Sequence, residues 1–257
     1  MMMDAHVRHT LLELNRQFYT TVAPDFDQTR QGWTPGLTRL LEYVPRPPAG
    51  QQLTVLDVGC GNGRFARMVD SLGRPFLYVG VDGSEKLLAL AQQNTADLQH
   101  GAAYFCRGDL AELGWMQALD ALPARDAFAN GFDFVLCTAT LQHLPGYDLR
   151  RRLVQELSAL TNGVLALSAW QFLSSERFRT RQIPWSHIGL AAADVEPGDA
   201  LLPWKQGQFA VRYVHQLDEV ELRQMAAECR LRMTDQFRAD GKEGDLNLYV
   251  ILAANED

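Results

Sequence analysis

Between residues 53 and 168, short runs rich in β-branched and apolar residues alternate with stretches whose apolar positions recur at helical spacing. LTVLDV (53–58), FLYVGV (76–81), AAYFCR (102–107), FDFVLC (132–137) and GVLALS (163–168) are the expected strands. RFARMVDSL, SEKLLALAQQN and YDLRRRLVQELSAL are the helices between them. The alternation is that of βαβ units and predicts an α/β fold with a parallel sheet.

The flanks are read the same way. AHVRHTLLELNRQFY forms a helix, and PGLTRLLEYV another with Pro35 in its first turn, before RPPAG breaks the chain. Residues 169–206 carry Trp170, Trp185, Trp204 and three prolines with little periodicity, so a long irregular loop is expected there, of the kind that is usually functional. DEVELRQMAAECRL is a helix opened by Asp218 as N-cap, and LRMTDQFRAD and DLNLYVILA are strands joined through GKEG.

Composition narrows the function classes. Apolar residues make up 47% and charged residues 21%, too apolar for disorder. No apolar run reaches the roughly 18 residues that cross a bilayer, and MMMDAHVRHTLLELNRQF does not read as a signal peptide, so a cytoplasmic protein without a membrane partner is expected. Cys60, Cys106, Cys137 and Cys229 are scattered, which suggests reduced thiols in a core and no zinc or other metal site. The net charge of −7 argues against a protein that coats nucleic acid. One window, 145–181, is basic, with six arginines against three acids; its two readings are phosphate contacts and a solvated helix face.

The sharpest motif is VLDVGCGNGRF (55–65), a strand running through Gly59, Gly61 and Gly63 into a helix. A dinucleotide fingerprint needs glycine or alanine at position 64, where this chain has arginine, and that demotes a dehydrogenase. GxGxG preceded by an acid is instead the pattern of class I S-adenosylmethionine-dependent methyltransferases, which the sequence resembles over its full length. The resemblance implies a doubly wound, Rossmann-like fold with a mostly parallel seven-stranded sheet ending in an antiparallel hairpin. It implies one domain over 1–257: a helical cover (1–50), a cofactor-binding core (51–168), a substrate-side insertion (169–216) and a closing helix and hairpin (217–257). Asp57 would help hold the amino end of the cofactor, and Gly59, Gly61 and Gly63 would make room for it. Asp82 with Gly83, at the end of the second strand, is placed for the ribose hydroxyls. Asp109 and Leu110 would meet the adenine, and the backbone of Cys137 and Thr138 would flank the cofactor. His143 reads equally as a base titrating near neutrality and as a loop histidine bonded to backbone.

The acceptor is read from the cover. FYTTVAPDFDQTR (18–30) looks like the N-terminal cover of the eukaryotic wobble-uridine tRNA methyltransferases, which esterify a 5-carboxymethyl group. Tyr19, Ala23-Pro24, Phe26 and Gln28-Thr29-Arg30 match that pattern, and LLPWKQG and VRYVHQLDEVELRQM resemble later segments of the family. Arg30, Trp204, Arg212, Tyr213 and His215 carry over, with Arg30, His143, Arg212 and Tyr213 placed at the reacting end. This implies tRNA as acceptor and a small zinc-binding activator protein as partner, with 18–30 acting as a lid. A small metabolite bearing a carboxylate or hydroxyl is the alternative acceptor, and a non-catalytic scaffold on the same fold is the alternative of another class. A carboxylate needs no strong base, only an arginine that orients it.

Overall fold

The computed structural model describes residues 3–30 and 32–254. Helix α1 (Ala5–Gln28) is opened by Asp4, whose side chain accepts from the amides of His6 and Val7. It buries Val7, Leu11, Asn15, Phe18 and Val22, one stripe at helical spacing. The helix does not stop near Tyr19, as the sequence predicts, but runs on through Pro24. Proline has no N–H for the carbonyl four residues earlier, and here Lys86 Nζ donates to that Thr20 carbonyl at 2.8 Å. The segment 18–30 is therefore mostly the last turns of a long helix. Helix α2 (Pro35–Leu40) follows, capped by Thr34 with Pro35 at its start.

The core then alternates as expected: β1 (Leu53–Val58), α3 (Arg64–Asp70), β2 (Phe76–Asp82), α4 (Glu85–Asn94), β3 (Gly101–Arg107), a short α5 (Gln117–Asp120), β4 (Phe132–Thr138), α6 (Tyr147–Leu160) and β5 (Thr161–Trp170). After a short α7 (Glu176–Arg179) come β6 (Asp199–Trp204), β7 (Ala210–His215), α8 (Glu219–Glu228), β8 (Leu231–Ala239) and β9 (Asn247–Ala254). Seven strands form one sheet in the order β3-β2-β1-β4-β5-β9-β8. The first five are parallel, and β9 lies antiparallel between β5 and β8. Helices cover both faces, so two cores form. One packs Leu56, Val79, Leu153, Leu157, Leu222 and Met225, the other Leu37, Phe65, Met68, Phe134 and Tyr249. Strand order reverses between β1 and β4, and a crevice opens at the carboxyl ends of such strands. No helix of the described residues is long and apolar enough to cross a membrane.

The expected loop over 169–206 is corrected in its second half. β6 pairs antiparallel with β7 in a separate ribbon, with Leu202 opposite Arg212 and Leu201 opposite Tyr213. One side of the ribbon packs on α1 through Val7, Leu11, Leu201 and Tyr213; the other packs on Trp170 and Phe172 through Ala200, Leu202 and Val214. Burial on both sides removes the polar alternation that would have revealed these strands.

Candidate active site

A crevice of ≈ 970 Å³ lies at the switch point, bounded by the ends of β1, β2 and β4, by α1 and by the β6–β7 ribbon. At the end of β1, Asp57 is buried, and its Oδ2 accepts from the Tyr78 hydroxyl at 2.5 Å. Its Oδ1 is buried without a partner. Burial drives this carboxyl up to about 7 against the opposing pull of Tyr78. At the end of β2, Asp82 spans two backbone amides, Oδ2 accepting from Gly61 at 2.9 Å and Oδ1 from Ser84 at 2.8 Å. That carboxylate fixes the glycine loop as well as facing the crevice, and burial raises its pKa.

The three glycines have three jobs. Gly59 (φ +79°) touches Thr140 so closely that a Cβ would lie 2.1 Å from its Oγ1. Gly61 (φ +56°) faces open crevice, where the nearest atom to such a Cβ is Phe26 Cε1 at 3.9 Å. Gly63 does not line the crevice as expected; its Cβ would meet Ala91 at 3.0 Å, so it serves the packing of α3 on α4. Gly83, Leu110 and Thr138 line the crevice, whereas Cys137 does not and packs in the core. Asp109 lines it too, but its Oδ2 accepts from Arg16 Nε at 2.9 Å and Nη2 at 2.6 Å, which ties α1 to the end of β3.

At the other end stands Arg212 on β7, 8% exposed and lining the crevice. Its guanidinium lies over three aromatic rings, at 4.8 Å from Trp170, 5.3 Å from Phe18 and 5.8 Å from Trp204. Its Nε has no hydrogen-bond partner, and no carboxylate of the described residues pairs with it. Desolvation lowers its pKa, Tyr19 opposes that as a hydrogen-bond partner, and the nearby Arg30 acts in the same direction as burial. Arg30 also lines the crevice, over the Phe26 ring at 4.7 Å, with Thr29 Oγ1 as its hydrogen-bond partner at 3.2 Å. Trp204 completes the wall, its Nε1 donating to the Gln206 carbonyl at 2.6 Å.

His143 corrects the reading as a near-neutral base. Its Nδ1–H donates to the Tyr213 carbonyl at 3.2 Å, which makes Nε2 the acceptor for the Tyr19 hydroxyl at 2.8 Å. Burial and the Arg212 charge depress it to about 3. It stays a neutral imidazole that holds Tyr19. Tyr213 and His215, expected near the acceptor, do not line the crevice. Tyr213 is buried beneath α1 and donates its hydroxyl to Asp199 at 2.7 Å; His215 bonds Asp199 at 2.7 Å and Glu221 at 2.8 Å. Burial pushes His215 down, but those two carboxylates win and its net shift is upward. Glu196, Asp199 and His215 come within metal-ligating reach of one another. Arg150, the Tyr213 hydroxyl and backbone amides already engage the two carboxylates.

The basic window divides. Arg150 is 1% exposed between Glu196 and Glu221, Arg151 pairs with Glu228 and Arg152 with Glu156, so DLRRRL is an internal salt-bridge stretch. Arg177 and Arg181 are exposed at the crevice mouth. Three site residues escaped the sequence reading. Asn15 sits on the apolar stripe of α1 and staples the helix to the Tyr213 amide and carbonyl, and the odd polar residue in that stripe was the available signal. Arg16 gave none, since it acts through a partner distant in sequence, and Trp170 is legible only as part of the tryptophan-bearing stretch 169–206. Gln142 fixes Trp170 by accepting from its amide at 2.8 Å.

Residues 55–163 match the model of a methyltransferase domain family. No curated protein matches the sequence closely enough to count as a relative. Among solved structures, a SAM-dependent methyltransferase from Methanosarcina mazei is similar in fold, at 19% identity and a TM-score of 0.63 over 85% of this chain and 98% of that one. The magnesium protoporphyrin IX methyltransferase from Synechocystis PCC 6803 with bound SAM aligns at 17% identity and 0.60 over 95% and 97%. DhpI in complex with SAM and HEP aligns at 17% and 0.58 over 95% and 98%. The glycine loop, the strand order and the family match agree: residues 55–163 of this chain are a methyltransferase domain, set in a class I methyltransferase fold.

Proposed function

We propose that this enzyme transfers the methyl group of S-adenosylmethionine to a carboxylate oxygen of its acceptor. The observation that carries the acceptor class is Arg212, a buried guanidinium walled by aromatic rings with no carboxylate of its own. A lone buried cation is costly, and a site that retains one is built to receive an anion. The cofactor supplies a methyl group already activated on a sulfonium. The carboxylate oxygen forms the new C–O bond as the S–CH3 bond breaks, sulfur keeps the electron pair, and no proton moves. That agrees with a neutral His143 and with a wall that offers orientation and dryness, which are what such a transfer requires. Trp170 and Trp204 suit a planar acceptor body beside the carboxylate.

The cofactor end fits an amino acid moiety and a ribose. The partnerless Oδ1 of Asp57 suits an ammonium group, Asp82 lies at the ribose position, and Gly61 leaves the space beside them clear. Asp57 is half protonated near pH 7, and an ammonium partner recruits the ionised form. Binding of S-adenosylhomocysteine, whose ammonium stays charged over this range, is therefore expected to strengthen about tenfold from pH 6 to pH 8 as the carboxyl deprotonates. Calorimetry should find that Asp57→Asn flattens the dependence; an unchanged slope in that variant would place the titration elsewhere.

Two acceptors share this chemistry. A small planar acid is favoured by the depth of Arg212, and the named acceptor of the Synechocystis neighbour is a small molecule. A 5-carboxymethyluridine in tRNA, with its small zinc-binding activator protein, is supported by the cover resemblance and by exposed Arg177, Arg179 and Arg181. The test is transfer of labelled methyl into a cell extract, followed by mild alkali. Label released as methanol is expected for an ester, and alkali-stable label would sink the carboxylate reading. Label in the tRNA or the small-acid fraction then names the source.

A further inference from the structure

A ladder of side chains runs from the crevice mouth to its buried floor. The Arg177 guanidinium lies 4.3 Å from the Phe178 ring centre, Phe178 meets Trp170 edge to face at 4.6 Å, and Arg212 lies 4.8 Å from Trp170. Arg181 and Lys205 line the same mouth. No ion pair among the described residues engages Arg177, Arg181, Lys205, Arg30 or Arg212. In a chain of net charge −7, five cations around one half of one crevice form a local field of opposite sign to the whole. Stacking on Phe178 also limits the freedom of the Arg177 head, so less is lost when it meets a ligand.

We infer that the acceptor carries two anionic groups. The reacting carboxylate sits at Arg212, and a second anion, a carboxylate or a phosphate, sits at Arg177 and Arg181. The planar body joins them along Phe178 and Trp170. This rests on the carboxylate reading of Arg212 and adds the mouth as a second subsite. A monoanionic acid of the same shape engages only the floor, and a cationic acceptor is disfavoured by the five cations.

The test uses 2-naphthoate and naphthalene-2,6-dicarboxylate as probes, each titrated into the protein saturated with S-adenosylhomocysteine at low salt. The dianion is expected to bind about tenfold more tightly than the monoanion. The double variant Arg177→Ala/Arg181→Ala should erase that advantage and weaken the monoanion far less than the dianion. Arg212→Met should weaken both probes. Failure of Arg212→Met to weaken either probe would overturn the carboxylate reading itself. A wild type without preference for the dianion, or a preference that survives the double variant, would overturn the second subsite alone. An RNA hairpin containing 5-carboxymethyluridine separates the sources of the second anion. If that anion is a backbone phosphate, the hairpin is methylated and the double variant raises KM while kcat holds. If it belongs to a small molecule, the hairpin is not a substrate and the dianionic acid retains its preference.

Discussion

Arg212→Met is expected to make the protein more stable and nearly inactive. Arg212 is buried, its Nε is orphaned, and only aromatic rings and the Tyr19 hydroxyl, with no carboxylate among the described residues, offset its desolvation. Methionine fills similar volume without that cost, so about 1–2 kcal/mol of stability should be gained, read as a higher melting temperature of the ligand-free protein. Methyl transfer should fall about 10²–10³-fold, the usual cost of removing one side of a buried charged contact to a substrate, with S-adenosylhomocysteine affinity kept. The contrast is Arg150, also buried but held by Glu196 at 2.9 Å and Glu221 at 2.8 Å. Arg150→Met strands two carboxylates and should destabilise by about 3–5 kcal/mol. The two arginines belong to one sequence class, and only their partners set the sign of the effect. A lower melting temperature together with normal turnover in Arg212→Met would remove Arg212 from the acceptor site.

That pair also marks where the sequence stops being legible. The strands β1 to β5, the glycine loop and Asp57 and Asp82 follow from local pattern, because a buried parallel strand and its C-terminal turn are written in adjacent residues. The β6–β7 ribbon does not, since Pro203, Arg212 and His215 interrupt its apolar run. Arg212 faces Trp170 and Phe18, His215 is matched to Asp199 and Glu221, and Tyr213 hangs from Asn15 across most of the sequence. RYVH was therefore read as one functional string, although on a strand alternate residues point opposite ways. Arg212 turns to the crevice while Tyr213 turns under α1. His143 has two equal readings in the sequence, and its bond to the Tyr213 carbonyl and its burial beside Arg212 favour the backbone-bonded one over the base.

The glycine loop allows the fold and the cofactor site to be separated by single methyl groups. At Gly59 an alanine would carry a positive φ of +79° and place its Cβ 2.1 Å from Thr140 Oγ1, 2.6 Å from Cγ2 and 2.9 Å from Cβ. Thr140 has little room to yield, since its hydroxyl donates to the Thr138 carbonyl at 3.0 Å. Left-handed strain of about 1–2 kcal/mol and overpacking of about 1–3 kcal/mol both apply, so Gly59→Ala should lose roughly 3 kcal/mol of stability, read by denaturant unfolding. At Gly61 the same methyl meets only Phe26 Cε1 at 3.9 Å, and the strain at φ +56° is the whole cost to the fold, about 1–2 kcal/mol. Gly61 lines the crevice together with Asp57 and Asp82 and its Cβ would stand in open space, so Gly61→Ala should leave a folded protein whose S-adenosylhomocysteine affinity falls about 100-fold by calorimetry. Wild-type affinity in Gly61→Ala would mean that the cofactor does not approach the loop backbone. Equal destabilisation of the two variants would mean that the whole loop is packing. The expected split assigns Gly59 to the architecture and Gly61 to the ligand, a distinction the repeating GxGxG pattern conceals.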